Sequence, residues 1–146
     1  MSGFVVDASV AIKWVVAEPG AGLATRLLDH PLAAPDLLGP ECANILSKKV
    51  MRRELSPQEA ETMAAALAAA DLTLHPTRHH LQAAVALATT LRQPAYDCIY
   101  LCLAEQLAQP LVTADTRLVE TVRAARSRRF AHLVVPLGEL PGTLAG

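Results

Sequence analysis

Length, composition and charge exclude several classes of protein. The chain has 146 residues, of which 52% are hydrophobic and 3% aromatic; this predicts one folded domain over residues 1–146, with a core of Leu, Ala and Val. A formal net charge of −1 provides no global basic surface, so any contact with a polyanion must come from local patches. The longest apolar stretch near the N-terminus, residues 4–16, is interrupted by Asp7 and Lys13 and is too short to cross a membrane.

The cysteines indicate a reducing environment. There are three, an odd number, and no segment resembles a secretory signal, so we expect free thiols in a soluble cytoplasmic protein. Cys98 and Cys102 have the i, i+4 spacing that would place two thiolates on one helix face. Since no second Cys or His pair lies nearby, the preferred interpretation is that they are small buried hydrophobic residues.

Short apolar runs alternate with amphipathic segments along the chain. The predicted strands are Phe4–Val6, Leu32–Pro35, 72–74, Leu111–Thr113 and 132–135. The predicted helical segments are 10–16, 21–30, 40–53, 57–70, 78–92, 98–108 and 116–125. Pro40 is expected at the first helical position, Ser56 and Glu59 as a capping box, and Thr77 and Asp97 as N-caps.

This alternation predicts the fold class. Helices that separate short β-branched runs are typical of an α/β fold, with a central, mostly parallel sheet flanked by helices on both faces. In such a sheet the carboxyl ends of the strands meet at one edge, where ligands usually bind. Asp7 follows the first predicted strand and Asp115 follows Leu111–Thr113, so both carboxylates are expected at this edge.

Four acidic residues are candidates for a functional site. Asp7, Asp97 and Asp115 adjoin apolar runs that look buried, and Glu41 begins a helix whose other side is apolar. Burying carboxylates together without compensation is unfavourable, and carboxylate oxygens suit Mg²⁺ or Mn²⁺. Such metals serve phosphodiester hydrolysis, in which they activate water and stabilise the leaving oxygen. Taken singly, each acid also has an ordinary interpretation, Asp97 most clearly as an N-cap.

Polar neighbours of these acids are candidates for orienting them. Ser9 and Thr113 lie two residues from Asp7 and Asp115, so their hydroxyl groups could hold a carboxylate or a water; turn or cap chemistry is the alternative. Asn44 and Lys48 extend a polar stripe from Glu41 along one helix face.

Together these residues match a known pattern. Asp7 in VVDASV, Glu41 and Asn44 in PECAN, the segment YDCIYLCLA and the closing LVTAD resemble the PIN-domain ribonucleases, particularly VapC-type toxins of prokaryotic toxin–antitoxin pairs. The resemblance implies a three-layer α/β/α domain, Mg²⁺- or Mn²⁺-dependent cleavage of RNA, an antitoxin partner and homodimerisation. It also implies metal binding by the four acids, Asp7, Glu41, Asp97 and Asp115. The further acid that often follows the last motif aspartate is absent from Thr116-Arg117-Leu118, which leaves Glu120 as a weak candidate.

Two basic clusters and two apolar segments are candidate contact surfaces. Lys48 and Arg52 on one helix, and Arg126 and Arg128 in a later loop, could bind RNA phosphates or could simply be solvated. Apolar residues in 10–14 and 55–67 could form a dimer or receive an antitoxin segment. His79 and His80 are remote from the acids in sequence, and we expect them to flank a helix.

Three other functions remain open at this point. A non-catalytic binding module could keep the fold and act with a regulatory partner. A haloacid-dehalogenase-like phosphatase would use Asp7 as a nucleophile, but it requires a second acid where Ser9 stands. A phosphoacceptor receiver domain requires an acidic pair after the first strand, and none is present there.

Overall fold

A five-stranded parallel sheet forms the centre of the protein, seen in a computed structural model that describes residues 3–126 and 128–140. The strands are β1 (Phe4–Val6), β2 (Leu32–Pro35), β3 (Thr73–His75), β4 (Leu111–Thr113) and β5 (Val134–Pro136). Their order is β3-β2-β1-β4-β5, and all neighbouring pairs are parallel. In the register of the sheet, Val5 of β1 pairs with Ala33 of β2 on one side and with Leu111 of β4 on the other.

Seven α-helices surround the sheet within the described ranges. They are α1 (Ala8–Ala11), α2 (Ala21–Arg26), α3 (Leu38–Met51), α4 (Pro57–Ala68), α5 (Leu81–Leu91), α6 (Ala95–Leu107) and α7 (Thr116–Ala124). None of them is long and apolar enough to span a membrane. Short 3₁₀ turns cover Ile12–Trp14, Leu27–Asp29, Thr77–His80, Ala131–Leu133 and Leu137–Glu139.

The side chains of the strands alternate between two hydrophobic clusters. Val5 and Leu111 belong to a cluster that also contains the buried residues of α5 and α6, whereas Val6 and Val112 join a second cluster with residues of α1 and α2. Successive strand residues point to opposite faces of a sheet, so the two clusters lie on its two sides. The predicted three-layer α/β/α architecture is confirmed.

Helix α6 is the most deeply buried helix in the described part of the chain. Seven consecutive residues, 98–104, are buried, so the helix is covered on every side. It packs against α5 and against strands β1, β2 and β4. A helix that is apolar all round is typical of such a central position. Its first turn emerges at the carboxyl edge of the sheet and carries Asp97.

Most predicted elements are confirmed, but several helix starts and ends are wrong. The capping box at α4 is present: Glu59 N–H donates to Ser56 Oγ and Ser56 N–H donates to Glu59 Oε1, over 3.1 and 3.0 Å. Pro40 is the third residue of α3 rather than the first. The segments predicted at 10–16 and 21–30 are each a short α-helix that tightens into a 3₁₀ turn.

Two predicted N-caps have other roles. Asp97 is the third residue of α6, which begins at Ala95 after Pro94. Thr77 begins a 3₁₀ turn, and its hydroxyl group accepts a hydrogen bond from Leu37 N–H instead of capping α5. The last strand begins at Val134, later than predicted, because a 3₁₀ turn occupies residues 131–133.

The apolar surface predicted at residues 10–14 is wrong for Val10, Ala11 and Ile12, which are buried. Trp14 is half-buried, and its indole N–H donates to the Ala24 carbonyl over 2.9 Å. The indole lines a groove of about 300 Å³ between α3 and α4, whose other apolar walls include Leu46 and Leu67. The segment predicted at 55–67 therefore does border an open apolar surface.

Candidate active site

The switch point of the sheet lies between β1 and β4. From β1 the chain builds outward through β2 to β3, and it then returns to the other side of β1 with β4 and β5. Crevices at such points, outside the carboxyl ends of the strands, are the usual ligand sites of open α/β sheets. Asp7 follows β1 directly and Asp115 comes two residues after β4, so the two predicted carboxylates flank this crevice.

Asp7 is held by both of its carboxylate oxygens. Ser9 Oγ donates to Oδ1 and Thr113 Oγ1 donates to Oδ2, each over 2.5 Å. Val10 N–H also donates to Oδ1 over 3.3 Å, so that Asp7 is the N-cap of α1. Only 8% of the residue is exposed. The carboxylate is therefore a fixed part of the structure.

The two hydroxyl groups are oriented in turn by the backbone after β4. Ala114 N–H donates to Ser9 Oγ over 2.9 Å, and Asp115 N–H donates to Thr113 Oγ1 over 3.0 Å. With their acceptor positions used by amides, both hydroxyl groups direct their protons towards Asp7. The structure thus places Ser9 and Thr113 in contact with Asp7, where the sequence predicted groups that orient a carboxylate.

Glu41 lies in the first turn of α3 and is half-buried. Its Oε1 accepts a hydrogen bond of 2.5 Å from the hydroxyl group of Tyr100 on α6. Burial and the neighbouring carboxyl group raise the pKa of the Tyr100 phenol, which therefore keeps its proton and acts as the donor. The contact joins the first turn of α3 to the middle of α6.

The other two acids are held from one side each. Gln93 Nε2, just before α6, donates to Asp97 Oδ2 over 3.0 Å. Asp115 is the N-cap of α7, and its Oδ1 accepts from Arg117 N–H and Leu118 N–H over 3.0 and 3.2 Å. In the described ranges, Asp97 Oδ1, Asp115 Oδ2 and Glu41 Oε2 have no hydrogen-bond partner in the protein.

The charges of the four acids affect one another's pKa values. Burial raises the pKa of Asp7 from 3.8 to about 6 against the lowering effect of its hydrogen bonds, and the charge of Asp97 contributes a further increase. Burial and the charge of Asp97 raise the pKa of Glu41. Burial also raises the pKa of Asp97, as does the charge of Asp115. Asp97 is thus coupled to each of the other three acids.

The donor set fits a hard divalent cation. Among the described residues, none of the four acids forms an ion pair with Lys, Arg or His, so no positively charged side chain of those residues offsets their mutual repulsion. Equally, no three His, Cys, Asp or Glu side chains of residues 3–126 and 128–140 are grouped so as to hold a metal ion as they stand. Mg²⁺ usually retains several waters and takes only one or two carboxylates, so an open set of this kind suits it.

Several predicted residues lie apart from the four acids. Asn44 is exposed on α3, and in the part of the chain described here its side chain forms no hydrogen bond with the acids. Lys48 is seven residues beyond Glu41, roughly 10 Å along the helix axis, and Arg52 follows the end of α3. Exposed Arg126 and Arg128 follow the far end of α7 from Asp115.

The cysteines and His80 are buried side chains outside the acidic group. All three cysteines are buried, as predicted for small hydrophobic residues, and burial raises the pKa of the Cys98 thiol to about 11. His80 is buried at the start of α5, where burial and the neighbouring His79 and His75 lower its pKa. The lowered pKa favours the neutral imidazole at this buried position.

Sequence reasoning missed two residues that touch the acids, Tyr100 and Gln93. Tyr100 lies three residues after Asp97, on the same side of α6, and a buried tyrosine needs a partner for its hydroxyl group, so the sequence held a partial signal. The partner, Glu41, is 59 residues away and could not be inferred from spacing. Gln93 lies in a connection whose shape depends on Arg92, which has a positive φ of 55°.

The fold is a doubly wound α/β domain, and acidic side chains that influence one another's pKa lie at and beside its switch point. The PIN domain family profile matches residues 4–124, and the chain belongs to the PIN domain family. The resemblance carried by VVDASV, PECAN, YDCIYLCLA and LVTAD is thereby confirmed for the family.

Comparisons with known proteins agree with this assignment. The chain is similar to ribonuclease VapC12 of Mycobacterium tuberculosis, with 30% identity over 118 residues, or 80% of this chain and 90% of the relative. It is likewise 30% identical to ribonuclease VapC1 of that organism over 122 residues, or 81% and 90% of the two chains. The crystal structure of PAE2754 from Pyrobaculum aerophilum shares the fold, with a TM-score of 0.68, 20% identity and coverage of 94% and 92%.

Proposed function

We propose that this protein is a Mg²⁺- or Mn²⁺-dependent endoribonuclease that hydrolyses RNA phosphodiester bonds. One observation carries the proposal: four electrostatically coupled carboxylates, without cationic partners in the described residues, gather at the switch point of the sheet. The similarity to ribonucleases VapC12 and VapC1 supports RNA as the substrate.

Asp7, Glu41, Asp97 and Asp115 would hold the metal, one or two of them directly and the others through the waters that the metal retains. When bound, it would supply Lewis acidity that activates water and stabilises charge on the phosphate. The protein's own part is positional: Ser9 and Thr113 fix Asp7, while Glu41, Asp97 and Asp115 each keep one oxygen that is not bound by the described protein. Side chains fixed in this way need no reorganisation when the site is loaded.

The test is cleavage of RNA by the purified chain. We would incubate it with total RNA in Mg²⁺ or Mn²⁺, beside an EDTA control, and read the products on a gel. Asp97→Asn keeps the size of the side chain but removes its charge, and Asp97 is coupled to all three other acids. We expect cutting that requires metal and falls by about 10- to 100-fold or more in the variant, since loss of a group that merely orients a metal ligand already costs about 10- to 100-fold.

The matched control is Asp71→Asn, which makes the same substitution at an exposed aspartate. This variant should cut like the unmodified chain. Full activity of Asp97→Asn, or cutting that persists in EDTA, would refute the proposal.

The alternative is a PIN-fold binding module without catalysis that acts with a regulatory partner. Its supporting observation is the lack of a ready-made group of three metal-binding side chains among the described residues. This alternative predicts that calorimetric titration with Mn²⁺ releases no binding heat, whereas the nuclease binds Mn²⁺ at the four acids.

An antitoxin protein and a second copy of the chain are the partners that the resemblance to VapC-type toxins implies. The groove between α3 and α4, bordered by Leu46 and Leu67, is an apolar surface on which such a partner would pack. Co-expression with the product of a neighbouring small gene, followed by size-exclusion chromatography, tests both partners. A chain that elutes alone and as a monomer under these conditions would contradict them.

A further inference from the structure

We infer that Tyr100 is a positioning residue of the proposed metal site, because its hydroxyl group fixes Glu41 with one oxygen free. The inference rests on the proposed function. Tyr100 itself would touch neither metal nor RNA, since it lies at 1% exposure in the core and reaches the site only through Glu41.

The geometry gives the phenol a specific task. Tyr100 Oη donates to Glu41 Oε1 over 2.5 Å, and in the described ranges Oε2 has no partner. A phenylalanine would fill this apolar position without needing a hydrogen bond. The packing of α6 therefore does not require the hydroxyl group. Its role is to fix the position of the Glu41 carboxylate.

Glu41 needs this support more than Asp7 and Asp115 do. Asp7 is held by two hydroxyl groups and an amide, and Asp115 by two amides of the helix that it caps. Glu41 has the longer and more flexible side chain, and its one hydrogen bond from the described protein comes from Tyr100. Loss of that bond would release Glu41 into several rotamers and so weaken its contribution to metal binding.

Calorimetric titration with Mn²⁺ tests this role on the full chain. We expect Tyr100→Phe to bind Mn²⁺ about 10- to 100-fold more weakly, the usual effect of removing a group that orients a metal ligand. Tyr96→Phe is the matched control, because it makes the same substitution one turn earlier on α6 at a residue that is 61% exposed. Its affinity should equal that of the unmodified chain, and circular dichroism would show that both variants are folded.

Combining Tyr100→Phe with Glu41→Ala distinguishes an effect of Tyr100 on the position of Glu41 from a general effect of the substitution on the fold. In Glu41→Ala the side chain that Tyr100 orients is gone, so adding Tyr100→Phe should cause no further loss of Mn²⁺ affinity. Equal losses in both backgrounds, or unchanged affinity of Tyr100→Phe, would overturn the inference while leaving the metal site intact. Absence of Mn²⁺ binding by the unmodified chain would instead overturn the proposed function, and this inference with it.

Discussion

Asp7 combines deep burial with three hydrogen bonds that favour its charged form. Burial has the larger effect, and the pKa of the carboxyl group is raised from 3.8 to about 6. The carboxyl group therefore binds its proton more tightly in the folded protein than in the unfolded chain. Stability that depends on this proton is fully present below pH 3.8 and is lost as the pH rises through about 6.

We expect the metal-free protein to lose stability between these pH values, and Asp7→Asn to remove that loss. Two pKa units correspond to about 3 kcal/mol, so near neutral pH Asp7→Asn should raise the free energy of unfolding by up to this amount. Urea denaturation in EDTA at several pH values measures the effect. With exposed Asp71→Asn as control, an Asp7→Asn protein that keeps the original pH dependence would contradict the assignment of this proton to Asp7.

Residues close in sequence were the predictable part of the site. Ser9 lies two residues from Asp7, so a contact between them follows from the local turn. Thr113 is 106 residues from Asp7 but ends the neighbouring strand, and the predicted parallel sheet therefore brought it to the correct edge. Tyr100 and Glu41 meet through the packing of α6 against the rest of the core, which no local pattern encodes.

At the level of elements, α6 holds the sheet and the site together. Leu103, at 0% exposure, belongs to the main hydrophobic cluster. We expect Leu103→Ala to lower the free energy of unfolding by about 2–5 kcal/mol, because a cavity remains after the side chain is removed. The control is Leu81→Ala on α5, at 52% exposure, which should change stability by about 0.5 kcal/mol or less. Denaturant titration measures both, and equal effects would contradict a central role for α6.

Strands were predicted more accurately than helix starts for a physical reason. Short apolar runs bounded by Gly, Pro or Asp form β1, β2 and β4, so the local sequence alone predicts where these strands begin and end. The start of α6 was placed too late, because aspartate is a residue type that commonly caps helices and Asp97 was taken as the cap. In the structure Pro94 is the N-cap and the helix begins at Ala95. Thr77 was predicted to cap α5. Instead its hydroxyl group accepts a hydrogen bond from the backbone amide of Leu37, 40 residues away.

Across the whole molecule, charge is distributed unevenly around the acids. Some basic side chains are paired with acids, such as Lys13 with Glu18 and Arg123 with Glu139. Exposed Arg117, in contrast, lies in the first turn of α7, and its backbone amide contacts Asp115. An RNA strand approaching the four carboxylates needs positive charge at this edge, and Arg117 is better placed to provide it than Arg126 or Arg128.

We therefore expect Arg117→Gln to weaken RNA binding more than Arg128→Gln, its control at the far end of α7. Loss of one phosphate contact with a single strand should reduce the slope of log affinity against log salt concentration by about 0.7. Fluorescence anisotropy with a labelled single-stranded RNA, across a salt series in EDTA, measures this slope. A larger effect at Arg128 would instead favour RNA phosphate binding by the basic loop, one of the two interpretations that the sequence left open.

Trp14, the single tryptophan of the chain, gives the protein a built-in optical probe. The indole lines the groove between α3 and α4, is half-buried, and donates its N–H to the Ala24 carbonyl. Its emission therefore reports on the surroundings of one indole, including this groove, without the mixed signal that several tryptophans would give. A molecule that settles there would shift the emission to shorter wavelength by excluding water, whereas occupation of the carboxylate crevice would leave the spectrum unchanged.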